Sequence, residues 1–184
     1  GRSAPNLDQA LKMGAIDAVV DLAEAAKQSD VIVLCMPVAQ MRAAFETIEP
    51  HLEPRTMITD AGSTKGDVIL AAKEVLGKKA CQFVPAHPIA GGAQHGASAA
   101  KADLFDGKQT ILCPLQENSP QDTDLIEGFW QSVGSVVKKI SCVQHDAIYA
   151  AVSHLPHILS YALMASVVNS EDADQKLSHV GAGF

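Results

Sequence analysis

The sequence predicts an α/β fold, a parallel sheet flanked by helices, followed by the start of an all-helical domain. Three observations predict it. Short apolar runs alternate with helix-like periodicity along residues 1–142. The clearest of these runs, Val31-Ile32-Val33-Leu34-Cys35, is apolar on both faces, as a buried parallel strand must be. From about Val143 strand-like runs cease and a long stretch rich in Ala, Val, Leu and Ile replaces them.

Each element has a local reason. Asn6 is placed to cap a helix over Leu7–Met13, which Gly14 ends. A second helix, Asp21–Gln28, leads into the strand at Val31–Cys35. Pro37 opens a helix to Glu49 with Val38, Met41, Phe45 and Ile48 on one face. Thr56–Thr59 reads as a strand, and Asp60-Ala61-Gly62-Ser63-Thr64-Lys65 carries the chain into another helix. Gln82–Pro85 is a short strand leading to His87. A helix around Ala97–Leu104 precedes a strand at Thr110–Cys113. A polar loop at Glu117–Asp122, a helix at Asp124–Val133 and a strand at Val136–Ile140 complete the pattern. Such alternation indicates repeated βαβ units. His145–Asn169 reads as one helical stretch, kinked or restarted at Pro156. So much apolar surface calls for a partner, most simply a second copy of the chain.

Fourteen basic against 21 acidic residues give a net charge of −7, without any basic run. That balance disfavours nucleic acid and anionic membrane as partners, and 4% aromatic content disfavours a base-stacking platform. The apolar runs fall short of the ~18 residues a membrane span needs, and the N-terminus lacks a signal-peptide pattern. Cys35, Cys81, Cys113 and Cys142 show no CxxC spacing and lie in or beside strand-like runs, Cys142 following one. They read as reduced core thiols of a cytoplasmic protein, with no metal role. The chain opens and closes in loop-like segments without an initiating Met, so it is expected to be part of a longer protein.

Ligands of a parallel α/β sheet bind beyond the carboxyl ends of its strands. Three segments fall there: Met36-Pro37-Val38, Asp60 to Lys65, and His87 to Gly92. His87 could accept a proton from a substrate hydroxyl, or it could anchor a loop. Gly91 and Gly92 would let backbone approach a ligand closely. The amides of Gly62-Ser63 could hold an anion or a ribose and Ser63 could relay a hydrogen bond, or Ser63 could be an ordinary N-cap. His154 and His157 stand three residues apart, suiting a substrate-facing role or packing better than a metal site without a third ligand. Arg2-Ser3 would follow the second strand of a dinucleotide fold, where an Arg accommodates the 2′-phosphate of NADP.

Together the motifs resemble the prephenate/arogenate (cyclohexadienyl) dehydrogenase family of tyrosine biosynthesis. Asp60-x-Gly62-Ser63-x-Lys65, His87-Pro88-x-Ala90-Gly91, Leu104-Phe105-x-Gly107, His145-Asp146 and Ser153-His154-Leu155-Pro156-His157 stand in the family's order, nearly end to end. The resemblance implies an incomplete Rossmann-type dinucleotide-binding domain at 1–142 and a helical substrate and dimerisation domain at 143–184. It implies oxidative decarboxylation of prephenate or arogenate with NAD or NADP, the latter favoured by Arg2. His87 would take the ring-hydroxyl proton and Ser63 would brace the hydroxyl and cofactor beside it. His157 would face the substrate, His154 would fix the loop, Gly91 and Gly92 would border the substrate, and Met36, Pro37 and Val38 would line the cofactor.

Three departures accompany the resemblance. Ala93 stands where many members carry an acid. The family's glycine-rich phosphate turn would precede Gly1, and its substrate-carboxylate arginines would follow Phe184. Turnover is therefore expected of the full-length protein and not of these 184 residues alone. Two other readings compete. Another dehydrogenase with a helical dimer domain would need a catalytic lysine late in the chain, where Lys176 alone is offered. A nucleotide-sensing domain without catalysis would not need Ser63, His87 and His157 together.

Overall fold

The computed structural model describes residues 3–92, 94 and 96–181. Arg2 and Ala93, both singled out above, lie outside the described residues. Two compact units make up the chain, one ending at His145 and the other beginning at Asp146.

In the first unit, α1 (Ala4–Lys12) begins earlier than Asn6, with Ser3 at its N-cap and Pro5 in its first turn. Proline is pre-set for that position. Asn6 is therefore not a cap; its Oδ1 accepts the Ala97 amide at 2.7 Å instead. Gly14 ends the helix at φ 68°, a conformation glycine adopts without cost. Asp21 caps α2 (Leu22–Gln28), accepting the Glu24 amide. Strand β1 (Val31–Leu34) pairs in parallel with β2 (Met57–Asp60). Between them α3 (Met41–Ile48) buries Met41, Ala44, Phe45 and Ile48; Met41, Phe45 and Ile48 were expected on one face, whereas Val38 lies in a 3-10 turn before the helix.

After α4 (Gly66–Leu76) a 3-10 segment, Gly77–Gln82, leads to β3 (Ala86–Pro88). Strands β4 (Gln109–Leu112) and β5 (Val136–Lys139) follow, connected by α5 (Pro120–Ser132). The Val84 amide donates to the Ile58 carbonyl at 2.8 Å, joining β2 to the β3 segment in parallel. β4 and β5 are parallel, but β3 and β4 are antiparallel. The reason is local. The helix expected over Ala97–Leu104 is a three-residue 3-10 turn at Ala97–Ala99 followed by turns. Without a crossover helix the chain re-enters the sheet from the opposite direction.

The core lies on both faces of these strands. Phe45 and Phe83 are fully buried and meet edge to face at 5.2 Å. Met57, Val84, Ala86, Leu112, Ile126 and Trp130 form a second cluster. Of the four cysteines only Cys113 is a buried thiol; Cys35 is exposed, one residue past the end of β1, and Cys81 and Cys142 are half-buried.

Helix α6 (Cys142–Tyr149) carries the boundary between the units. In the second unit a π-helical turn, Ala150–His154, is followed by α7 (Leu155–Val168) and α8 (Ala173–Ser178). Pro156 falls in the first turn of α7, so the chain restarts the helix there instead of breaking it. The helical run Cys142–Val168 is long and apolar enough, by length and composition, to cross a membrane. This corrects the expectation from uninterrupted apolar runs: polar residues such as Asp146, Ser153 and His154 punctuate the sequence, but the helix continues through them. Val152, Ile158, Leu159 and Tyr161 are exposed along it.

Candidate active site

The site starts where β2 ends. Asp60 and Lys65 are both completely buried and form an ion pair. Each also serves the backbone of Ala86: the Ala86 amide donates to Asp60 Oδ1 at 3.0 Å, and Lys65 Nζ donates to the Ala86 carbonyl at 2.7 Å. The second carboxylate oxygen accepts the Gly62 amide at 2.9 Å. The pair thus continues, through side chains, the link between β2 and β3 past the last residue of β2. Burial pushes the Asp60 carboxyl above the ordinary carboxylate range, against the lowering effect of Lys65 and the two amides. Gly62 is a packing requirement, since a Cβ there would lie 2.7 Å from Asp60 Oδ2 and 3.0 Å from Met41 Cε.

One residue beyond the clamped Ala86, His87 sits half-buried at the centre of β3, inside the strand and not beyond it. Its Nδ1 lies 2.8 Å from Nε2 of His145, a fully buried residue of α6. Ser141 and Gln144 hold the start of α6 reciprocally. The Gln144 amide donates to Ser141 Oγ and the Ser141 amide donates to Gln144 Oε1, both at 3.2 Å. This capping box sets the first helical turn, and His145 follows it directly.

A cavity of about 540 Å³ is lined by Val38, Met41, Arg42, Ser63, Thr64 and Asp67, among others. It lies beyond the carboxyl ends of two adjacent parallel strands, where α/β sheets bind ligands. Its size falls within the range of small-molecule pockets. Apolar Val38 and Met41 with the hydroxyls of Ser63 and Thr64 suit part of a dinucleotide. Of the three expected cofactor-lining residues, Val38 lines this cavity, Met36 packs against the core and Pro37 is exposed.

Ser63 is not the N-cap of α4, which begins at Gly66 after Lys65. The Gly62 amide is not free for an anion either, being taken by Asp60. Ser3 is exposed at the head of α1. Gly91 and Gly92 line a second cavity of about 610 Å³ with Gln94, Gly96, Lys101 and Leu104. A Cβ at either glycine would meet nothing within 4 Å, so no protein packing demands glycine there. In the second unit His154 is half-buried in the π-helical turn, and His157 is exposed with its ring 6.5 Å from Tyr161. Lys176 is paired with Asp172 at 2.6 Å.

Sequence reasoning noted Asp60, Lys65 and His145 as parts of motifs but gave none of them a role. For His145 a signal existed: Ser141-x-x-Gln144 is a capping-box pattern that fixes where the helix begins. For Asp60 and Lys65 there was no comparable signal, because their shared partner, Ala86, is 21 residues beyond Lys65.

A family model described as the nucleotide-binding domain of prephenate dehydrogenase matches residues 2–139, and one described as its dimerization domain matches residues 141–184. The cyclohexadienyl dehydrogenase of Zymomonas mobilis is 32% identical over 151 residues, 82% of this chain and 51% of that protein. Among solved structures, Aquifex aeolicus prephenate dehydrogenase in complex with hydroxyphenyl propionate and NAD+ is 29% identical with a TM-score of 0.89. That match covers 100% of this chain and 64% of the other. Synechocystis arogenate dehydrogenase is 25% identical with a TM-score of 0.80, covering 100% and 66%. The chain spans about half the length of the curated relatives it matches.

Proposed function

Given that this chain belongs to the prephenate dehydrogenase family, we propose that the protein oxidatively decarboxylates prephenate to 4-hydroxyphenylpyruvate, arogenate to tyrosine, or both. The observation that carries this reading is His87, hydrogen-bonded to buried His145 and preceded by a backbone residue clamped at both its amide and its carbonyl. A base held this firmly suits proton transfer from a bound hydroxyl.

In this mechanism His87 accepts the proton of the ring hydroxyl while Ser63 braces the same hydroxyl. NAD(P)+, when bound, supplies the acceptor for the hydride leaving the hydroxyl-bearing carbon. The ring carboxylate then leaves as carbon dioxide, and its bonding electrons restore the aromatic ring. The proton on His87 returns to the phenolic oxygen. Val38 and Ser63 border the cofactor, with Met36 and Pro37 shaping the same segment. Gly62 contributes by lacking a Cβ, not by its amide. Arg2 and Ser3 are assigned to the ribose end, and Arg2 favours NADP over NAD. Gly91 and Gly92 are assigned to the substrate, as is His157, and His154 fixes the loop that carries it.

The domain boundary is assigned between residues 142 and 143, with 143–184 pairing two copies of a cytoplasmic homodimer. Support comes from the apolar residues exposed along α7 and the match to a dimerization domain. The test is a steady-state assay of the full-length protein with prephenate and arogenate, each with NAD and NADP. Reduction of a cofactor is expected with at least one substrate. Absence of reduction in all four combinations would overturn the reading.

A further inference from the structure

The contact between His87 and His145 constrains which nitrogen carries a proton. Their rings stand edge to face, at 66° with centroids 5.0 Å apart, and Nδ1 of one faces Nε2 of the other at 2.8 Å. Two N–H groups cannot share that line, and two bare nitrogens would set lone pair against lone pair. One ring must donate and the other accept, so the two tautomers are complementary. If His145 donated, a neutral His87 would carry its own hydrogen on Nε2 and could not accept another there. If His87 donates from Nδ1, its Nε2 is bare.

We propose that His145 is a positioning residue that accepts the Nδ1–H of His87 and so holds His87 in the tautomer whose Nε2 carries no hydrogen and can accept a proton. This rests on the proposed role of His87 as proton acceptor. Only this arrangement carries through the step unchanged. The hydroxyl proton moves to Nε2 of His87, the Nδ1–H stays where it was, and His145 neither gains nor loses a proton. Once His87 is an imidazolium its bond to His145 is charge-assisted and stronger than before. A preset, buried acceptor thus stabilises charge as it develops. Burial of His145 and the Ser141–Gln144 capping box keep that acceptor in place.

Two measurements on the full-length protein test this. Long-range proton–nitrogen correlation spectra of protein labelled with 15N in histidine distinguish a protonated ring nitrogen from a bare one. His87, its signals assigned by their absence from the spectrum of His87→Asn, is expected to show a protonated Nδ1 and a bare Nε2; the reverse pattern overturns the proposal, and the reading does not require turnover. Kinetics are the second measurement. His145→Leu should lower kcat by at least about tenfold, towards the ~10⁴-fold seen when a triad histidine is left in the wrong tautomer. KM for substrate and cofactor should stay within about threefold. His145→Gln, whose side-chain oxygen can replace Nε2 as acceptor, should recover most of the loss. A leucine variant with wild-type kcat, or a glutamine variant as slow as the leucine one, would contradict the assignment. If no substrate supports turnover, the functional reading fails, while the spectra still decide the tautomer.

Discussion

At Lys65 a fully buried ammonium faces the Asp60 carboxylate and the Ala86 carbonyl. Removing one partner of such a pair leaves an uncompensated buried charge, at a cost of about 3–5 kcal/mol. Lys65→Met should approach that loss near neutral pH, and its pH dependence has a definite sign. Burial already raises the Asp60 carboxyl, and Lys65 is the largest influence lowering it. In the variant the folded-state value rises further above the unfolded one. The native state then holds the proton more tightly, so the stability it confers is complete below the ordinary carboxylate range and is lost as pH rises through the raised value. Urea unfolding of variant and wild type across the acid-to-neutral range would measure this, and a deficit relative to wild type that shrank as pH rose would contradict it. At His87 the expectation is kinetic. His87→Asn should reduce kcat by about 10²–10⁴-fold without loss of cofactor binding, as stopped-flow turnover and cofactor titration would show. Near-wild-type turnover would remove His87 from the chemistry.

Among the elements, the segment from Glu117 to Asp122 reads as a polar loop, but Pro120 to Asp122 already belong to α5, and the polarity of the part before it has a structural use. Asn118 donates from Nδ2 to the carbonyls of Cys81 and Phe83, both at 2.9 Å, and its Oδ1 accepts the Leu115 amide at 2.7 Å. One side chain therefore ties the stretch after β4 to the segment entering β3. Asn118→Ala leaves three backbone groups without these partners and should cost about 1–3 kcal/mol, measured as a lower denaturation midpoint. A change within error would show that water replaces the side chain. The α3 stripe was legible because burial follows a 3.6-residue period within one helix. The missing helix at Ala97–Leu104 was not: its alanines favour a helix locally, while Gly96 at φ 85° and the tie from Asn6 to the Ala97 amide impose a turn.

For the whole molecule the prominent feature is the apolar surface of the second unit. Among the described residues α7 buries none of its own, although it is rich in Leu, Val and Ala. A second copy covering that surface is the proposed explanation. Light scattering on the full-length protein should give twice the monomer mass, and Ile158→Arg with Leu159→Arg should shift it toward monomer. A wild-type monomer at micromolar concentration, or a dimer indifferent to both substitutions, would argue against it.

The amino-acid sequence by itself determined the fold class and the order of most elements, because these depend on periodicity and turn residues read locally, and its short motifs nominated Ser63 and His87 for the proposed chemistry. It also placed His145 in a motif without saying what it touches. Tertiary structure decided the rest: that β3 runs antiparallel to β4, that the Gly62 amide is occupied, that Asp60 and Lys65 grip Ala86, and that His145 meets His87 from 58 residues away. These facts depend on contacts distant in sequence, where burial makes every unpaired polar group costly and so selects partners that no local pattern specifies.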